Sequence, residues 1–288
     1  MGVRFSLPQD RRIAMSFVVN VEEGAEQNIS AGDKGPEPVD ELGVSLKIPV
    51  RNYANESNYL YGITAGAPRV MRLLDQYGFT CTFTAAAVAL EKAPDLARAI
   101  AAGGHEVCSH GHRWVHQFSF KEERERAFIR QATESLRATT GARPLGWLSR
   151  YLFTENTRRL LIEEGYFYHM DDFGDDVPRW DLVDVGGAQR GIVIVPYAID
   201  TNDMKMWVAP AYSPAQWLEY AVDSFDQLYE EGAAQPRIMS LGVHLRIIGR
   251  PGRIGALAKF MQHVASRKDV WVTSRLAIAQ HFAALNPL

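Results

Sequence analysis

Cysteine is scarce in this chain: Cys81 and Cys108 are the two among 288 residues. A disulfide framework needs a larger, closely spaced set, so none is expected. Two buried thiols suit a reducing compartment, and the chain reads as cytoplasmic. Long apolar runs are also missing. No stretch approaches the roughly 20 residues that span a bilayer, and the first residues lack the continuous apolar core of a secretory leader. Neither charge dominates: the formal net charge is −3, and no basic patch or stripe marks a nucleic-acid footprint. No G-x-G-x-x-G follows a strand and no P-loop occurs, which removes the usual grounds for a nucleotide cofactor. The expectations are no membrane, no nucleic acid, no cofactor, and neither internal repeat nor linker.

What is there is enough apolar residue, 47% of the chain, for a large core, and a regular alternation of strand-length runs with helical periodicity. Residues 12–21 read as a buried strand. Residues 22–62 are polar, rich in Gly, Pro and Asn, and read as a long functional loop that shapes a pocket or an oligomer contact. Val70, Leu73, Leu74 and Tyr77 fall at i, i+3, i+4 and i+7, giving a helix over 66–77 that Gly78 ends. Further strands are expected at 79–85, 105–110, 145–148, 166–170, 192–198, 237–245 and 270–273. Further helices are expected at 94–102, 119–139, 154–164, 213–231, 253–267 and 274–285. About eight strands alternating with helices define an α/β protein with a mostly parallel sheet, either a barrel or an open doubly wound sheet.

In an α/β barrel the chemistry sits at the C-terminal ends of the strands. The residues found there are Asn20, Glu22 and Glu23 after the first strand, then His110 and Trp114 after the third. Trp147 follows the fourth strand, Asp171 and Asp172 the fifth, Asn202 and Asp203 the sixth, and His244 and Arg246 the seventh. Carboxylates and imidazoles in one ring supply general acids and bases. Amides and guanidinium groups can meet an oxyanion, and tryptophans can wall a slot for a small ring. His105 reads as structural, and His112 and His116 as exposed polar residues. His169, His263 and His281 lie on ordinary segments and receive no role.

Taken in order, these segments resemble the NodB-type polysaccharide deacetylase superfamily. The resemblance rests on acidic residues after the first strand, Gly104 to His110, Arg143 to Trp147, and a late strand ending in His244. It implies an irregular (β/α) barrel of seven to eight mostly parallel strands spanning residues 1–288 as one domain. Metal-dependent members carry paired aspartates after the first strand and a His-x-x-x-His pair after the third. Here Glu22 and Glu23 replace the former, and Trp114 stands where the second histidine would be. The departures resemble the metal-independent allantoinases and cyclic imide hydrolases. Seven segments carry this: 20–26, 110–114, 146–147, 156–159, 175–180, 200–204 and 244–253.

The resemblance implies a hydrolase acting on a non-peptide C–N bond of a small cyclic amide, imide or ureide, often as a homo-oligomer. Glu22 or Glu23 is expected to activate water, and His110 or His244 to pass a proton to the leaving nitrogen. Trp114 and Trp147 are expected to flank the ring, with Asn20, Asn202, Asp203 and Arg246 binding substrate and no metal ligand. Two adjacent glutamates on a continuing strand point to opposite sides, which favours Glu22 for the pocket. Two rivals are a metal-dependent carbohydrate N-deacetylase using Glu22 and His110 as zinc ligands, and a barrel that binds a ligand without turning it over.

Overall fold

The structure is a computed structural model that describes residues 5–38, 41, 43 and 48–288. Positions 1–4, and 39, 40, 42 and 44–47 within the expected long loop, lie outside the described residues.

The first strand, β1 (Ile13–Val21), is buried along its whole length. A strand covered on both faces has no solvated side to mark with polar residues, so it reads as a nearly continuous apolar run, interrupted by Ser16 and Asn20. Its residues part alternately. Ile13, Met15, Phe17, Val19 and Val21 pack outward against the helices Ala67–Tyr77, Pro214–Glu231 and Pro251–Ala265. Ala14 and Val18 pack inward with Tyr168, Val193, Val195 and Ile238 from other strands. The same period carries Asn20 and Glu22 to the top of the inner side.

The other strands are β2 (Thr82–Ala85), β3 (Glu106–Ser109), β4 (Gly146–Trp147), β5 (Tyr168–His169), β6 (Arg179–Val185), β7 (Ala188–Ile194), β8 (Arg237–His244) and β9 (Val270–Val272). Among the described residues the order is β6-β7-β5-β4-β3-β2-β1-β8, and β9 also pairs with β1. All pairs are parallel except β6–β7. The two ends of the sheet do not share a ladder. Loop hydrogen bonds cross the gap instead: Ile238 N donates to the Asp176 carbonyl at 2.8 Å, and Ala198 N to Ser240 Oγ at 2.8 Å. The result is the α/β architecture of an irregular barrel.

Among the described residues nine strands form where about eight were expected. The additional one is β6, whose charged alternating sequence reads as a loop because it is an edge strand with one solvated face. It turns into β7 through Gly186 and Gly187 at φ 64° and 86°, the left-handed pair a tight hairpin requires. The hairpin moves β7 to Ala188–Ile194, ahead of the expected 192–198.

The second correction concerns the long loop. Tyr53–Tyr61 is a helix, capped by the Asn52 side chain accepting from Asn55 N, and it runs through Gly62–Gly66 into Ala67–Tyr77. Its polar sequence shows no apolar periodicity, because it packs through Tyr59, Asn55 and Asn58. Gly66 permits the join: a Cβ there would lie 2.1 Å from the Leu245 carbonyl oxygen. Since a backbone atom cannot swing aside, Gly66→Ala is expected to destabilise the fold by about 1–3 kcal/mol. Gly255→Ala, in a helix where a Cβ meets nothing within 4 Å, should be neutral or stabilising by up to about 1 kcal/mol. Urea denaturation of the two variants side by side checks this.

Candidate active site

The strand register assembles the site. Asn20 lies level with Thr84 on one neighbour and His244 on the other. Two residues beyond Asn20, Glu22 emerges just past the end of β1, and His110 just past the end of β3 with its backbone N–H on the Ala85 carbonyl. Together with Trp114, Asp171 and Tyr197, these residues line a cavity of about 330 Å³ at the C-terminal ends of the strands.

Glu22 is the centre. Its Oε1 lies 3.4 Å from His110 Nε2 and 3.4 Å from His244 Nε2, and its Oε2 receives Arg246 Nη1–H at 2.7 Å. Burial pushes this carboxyl up, but the charges of Arg246 and His244 and the hydrogen bond from His244 outweigh it. The net effect holds Glu22 well below the usual carboxylate range. His110 Nδ1 pairs with the Leu148 carbonyl at 2.7 Å. A carbonyl only accepts, so Nδ1 carries a hydrogen, and in the neutral ring the Nε2 lone pair faces Glu22. His244 Nδ1 pairs with Asp203 Oδ1 at 2.7 Å, and Asp203 Oδ2 takes the His244 backbone N–H at 2.8 Å. Burial lowers the His244 pKa, but Glu22 and Asp203 outweigh it and raise it to about 10. At neutral pH it is therefore an imidazolium whose Nε2–H faces Glu22.

Arg246 is completely buried behind this group. It also donates through Nε to Glu41 Oε1 at 2.5 Å, lies 3.8 Å from Glu23 Oε1, and stacks on the Tyr59 ring at 4.3 Å. Glu23 turns the other way from Glu22 and takes the backbone N–H of Glu22 and of Arg246. Burial, partly offset by Arg246 and reinforced by Glu22, raises its pKa to about 7. Removing Arg246 would strand three buried carboxyl groups, so Arg246→Ala is expected to cost about 3–5 kcal/mol. Guanidinium denaturation should show a smaller loss at pH 5 than at pH 8, because protonated Glu23 no longer needs the cation.

A second polar group flanks the first. Asp171 Oδ2 accepts from Ser149 N at 2.7 Å and pairs with His169 Nε2 at 2.5 Å. Arg158 Nε–H points at His169 Nδ1 from 3.4 Å, which places the His169 hydrogen on Nε2. Tyr197 Oη accepts from Asn202 Nδ2 at 3.1 Å and from Asn20 Nδ2 at 3.5 Å. Asn20 also accepts from Thr84 Oγ1 and donates to the Val243 carbonyl.

The structure thus brings Glu22, His110, His244, Asn20, Asn202 and Trp114 to one cavity. Four expected site residues do not line it. Trp147 packs between Phe128 and Tyr166, with its indole N–H on Ser149 Oγ, and walls nothing. Its side chain follows the strand alternation into the outer layer. Arg246 and Asp203 stand behind Glu22 and His244 and hydrogen-bond to them without lining the cavity. Glu23 is shielded by the same alternation that exposes Glu22. Sequence reasoning missed Tyr197, and gave His169 no role although it holds Asp171. The strand-end rule placed Asp171 in the ring without giving it a role, and could have found Tyr197, which lies just past the observed end of β7. Trp114 keeps one face toward the cavity, with the Arg150 guanidinium stacked 3.6 Å from its ring.

A scan against family models matches polysaccharide deacetylase over residues 58–167. A Schizosaccharomyces pombe protein named "Putative polysaccharide deacetylase" is 35% identical over 97% of this chain and 93% of its own length. The crystal structure titled PuuE allantoinase superposes with a TM-score of 0.92 at 40% identity, covering 98% of this chain and 94% of that one. A Pseudomonas aeruginosa PAO1 structure titled a probable polysaccharide deacetylase gives 0.92 at 39% identity, with the same coverage. The chain belongs to the polysaccharide deacetylase family and is a NodB-type hydrolase.

The donor set does not fit the metal that some members of this family hold. Trp114, four residues beyond His110, offers no lone pair. The Arg246 guanidinium already lies 2.7 Å from Glu22 Oε2 and supplies the positive charge at this carboxylate.

Proposed function

We propose that the chain hydrolyses a C–N bond of a small cyclic amide, imide or ureide without a metal ion, in the manner its similarity to an allantoinase structure suggests. The observation that carries this reading is the ion pair between Arg246 and Glu22, at 2.7 Å, which gives the site a fixed internal cation. A largely apolar-walled cavity of about 330 Å³ has room for a single ring.

The chemistry follows from hydrogen-bond valence. With His110 neutral, Glu22 Oε1 and His110 Nε2 are both acceptors 3.4 Å apart, so a water molecule donating to both would bridge them from the cavity side. A carboxylate held so far below its usual range is a poor proton acceptor. Glu22 therefore orients the water and stabilises positive charge on His110, and His110 Nε2 takes the proton. The water oxygen bonds to the ring carbonyl carbon. The C–N bond breaks as the imidazolium of His244, steadied by Asp203, gives its Nε2 proton to the departing nitrogen. We further read the protein as one barrel domain, cytoplasmic and homo-oligomeric; among the described residues no helix is long and apolar enough to cross a membrane.

The names of the S. pombe and P. aeruginosa relatives favour a second reading, carbohydrate N-deacetylation. One assay separates the two. Purified protein is offered allantoin, hydantoin, succinimide and acetylated chitooligosaccharides, before and after dialysis against a chelator. Ring opening that survives the chelator is the expected result. Turnover confined to the oligosaccharides, or restored only by added zinc, would sink the proposal.

A further inference from the structure

The cavity holds two polar groups with spare hydrogen-bond capacity that the proposed mechanism does not use. Asp171 is 4% exposed. Its Oδ2 takes both the Ser149 N–H and the His169 Nε2–H, so Oδ1 is the oxygen with no partner among the described residues. An ionised carboxylate only accepts. The Arg158–His169 pair behind it fixes its orientation. Tyr197 is the converse: its oxygen accepts two amide N–H groups, from Asn20 and Asn202, and its own O–H finds no acceptor among the described residues. It is 7% exposed, and what it borders is the cavity. An acceptor and a donor that the protein leaves open at a cavity wall are bonded by solvent until a ligand takes its place, and a ligand that cannot pair with them forfeits those bonds.

We propose that Asp171 and Tyr197 form a reader of one amide edge, Asp171 accepting a ring N–H and Tyr197 donating to a ring carbonyl. The substrate is then a ring with an unsubstituted amide, imide or ureide nitrogen, and an N-alkylated ring is refused. This inference rests on the cyclic-amide reading and narrows it to a substrate class. Both residues bind substrate and take no part in the proton transfers assigned to His110 and His244. A site built around such a bond discriminates strongly against the analogue lacking it, because its own polar atoms are then left unpaired.

The experiment pairs hydantoin, allantoin and succinimide with their N-methyl derivatives, and follows both turnover and binding by calorimetry. With the wild-type protein, at least one N-methyl derivative of each bound ring should lose about a hundredfold or more in kcat/KM and in affinity. Asp171→Asn, of the same shape, presents an N–H where the free oxygen stood. It should weaken the unmethylated ring by a similar factor and bring the methylated and unmethylated partners to within about threefold, chiefly through KM. Tyr197→Phe should weaken both partners alike and keep the discrimination. Binding that discriminates without turnover would leave this inference standing and remove the proposed reaction. Turnover with equal tolerance of N-methyl rings would do the opposite. Binding of none of the rings would overturn both. Since the first comparison uses the unaltered protein, a poorly folding variant does not decide the matter.

Discussion

Glu22→Gln is expected to lower kcat on a cyclic amide by about a thousandfold, at the upper end of what one electrostatic contact at a reacting centre contributes. Glutamine keeps the shape and one acceptor but loses the charge that holds the water and steadies the imidazolium forming on His110. The loss should appear in kcat and kcat/KM together, because the interaction strengthens only as charge develops on His110. The fold should survive, since Arg246 retains Glu41 and Glu23 as partners. A second signature accompanies the rate: Glu22 is a leading cause of the raised His244 pKa. The variant's residual activity should therefore fail at lower pH than the wild type. Near-wild-type kcat, measured by steady-state hydrolysis from pH 5 to 11, would remove Glu22 from the mechanism.

The second large effect concerns His244 and Asp203. His244→Ala removes the proton donor and should reduce kcat by about a hundred- to ten-thousandfold, the usual range for general acid catalysis. Asp203→Asn is the more informative variant. The acid form of His244 is needed, and its pKa is raised to about 10, so activity is present below that pH and falls as pH rises through it. Asp203 is one of the charges that raise it. Its neutralisation should move the alkaline limb of kcat/KM downward by about 1–3 pH units, the usual reach of an adjacent opposite charge. An alkaline limb that stays put in Asp203→Asn would show that another group supplies the proton.

Much of the barrel was legible along the chain because its signals are local. Helix 94–102 and the helices near 66–77 and 213–231 announce themselves by periodicity, Pro starts and Gly stops. β1 and β8 announce themselves by strand-length, mainly apolar runs. The failures have the same physical basis. β6 is an edge strand whose pattern carries charge on its solvated face. The helix Tyr53–Tyr61 buries two asparagines and a tyrosine in place of an aliphatic stripe. In the site, the strand-end rule gathered Glu22, His110 and His244, but it could not rank depth. Trp147 and Arg246 end or follow strands as clearly as Trp114 and His244 do, yet they face away from the cavity or stand behind another side chain.

Sequence alone determined which residue types gather at the strand ends, since period-2 alternation and chain order are local properties that any folding of the chain must respect. The tertiary structure decided their partners. Glu41, 205 positions before Arg246, shares that guanidinium with Glu22, and Asp203 reaches His244 across 41 positions. Those pairings set which carboxyl stays charged and which imidazole keeps its proton, because the field at a buried group comes from whatever lies within a few ångströms of it, whatever its place in the chain.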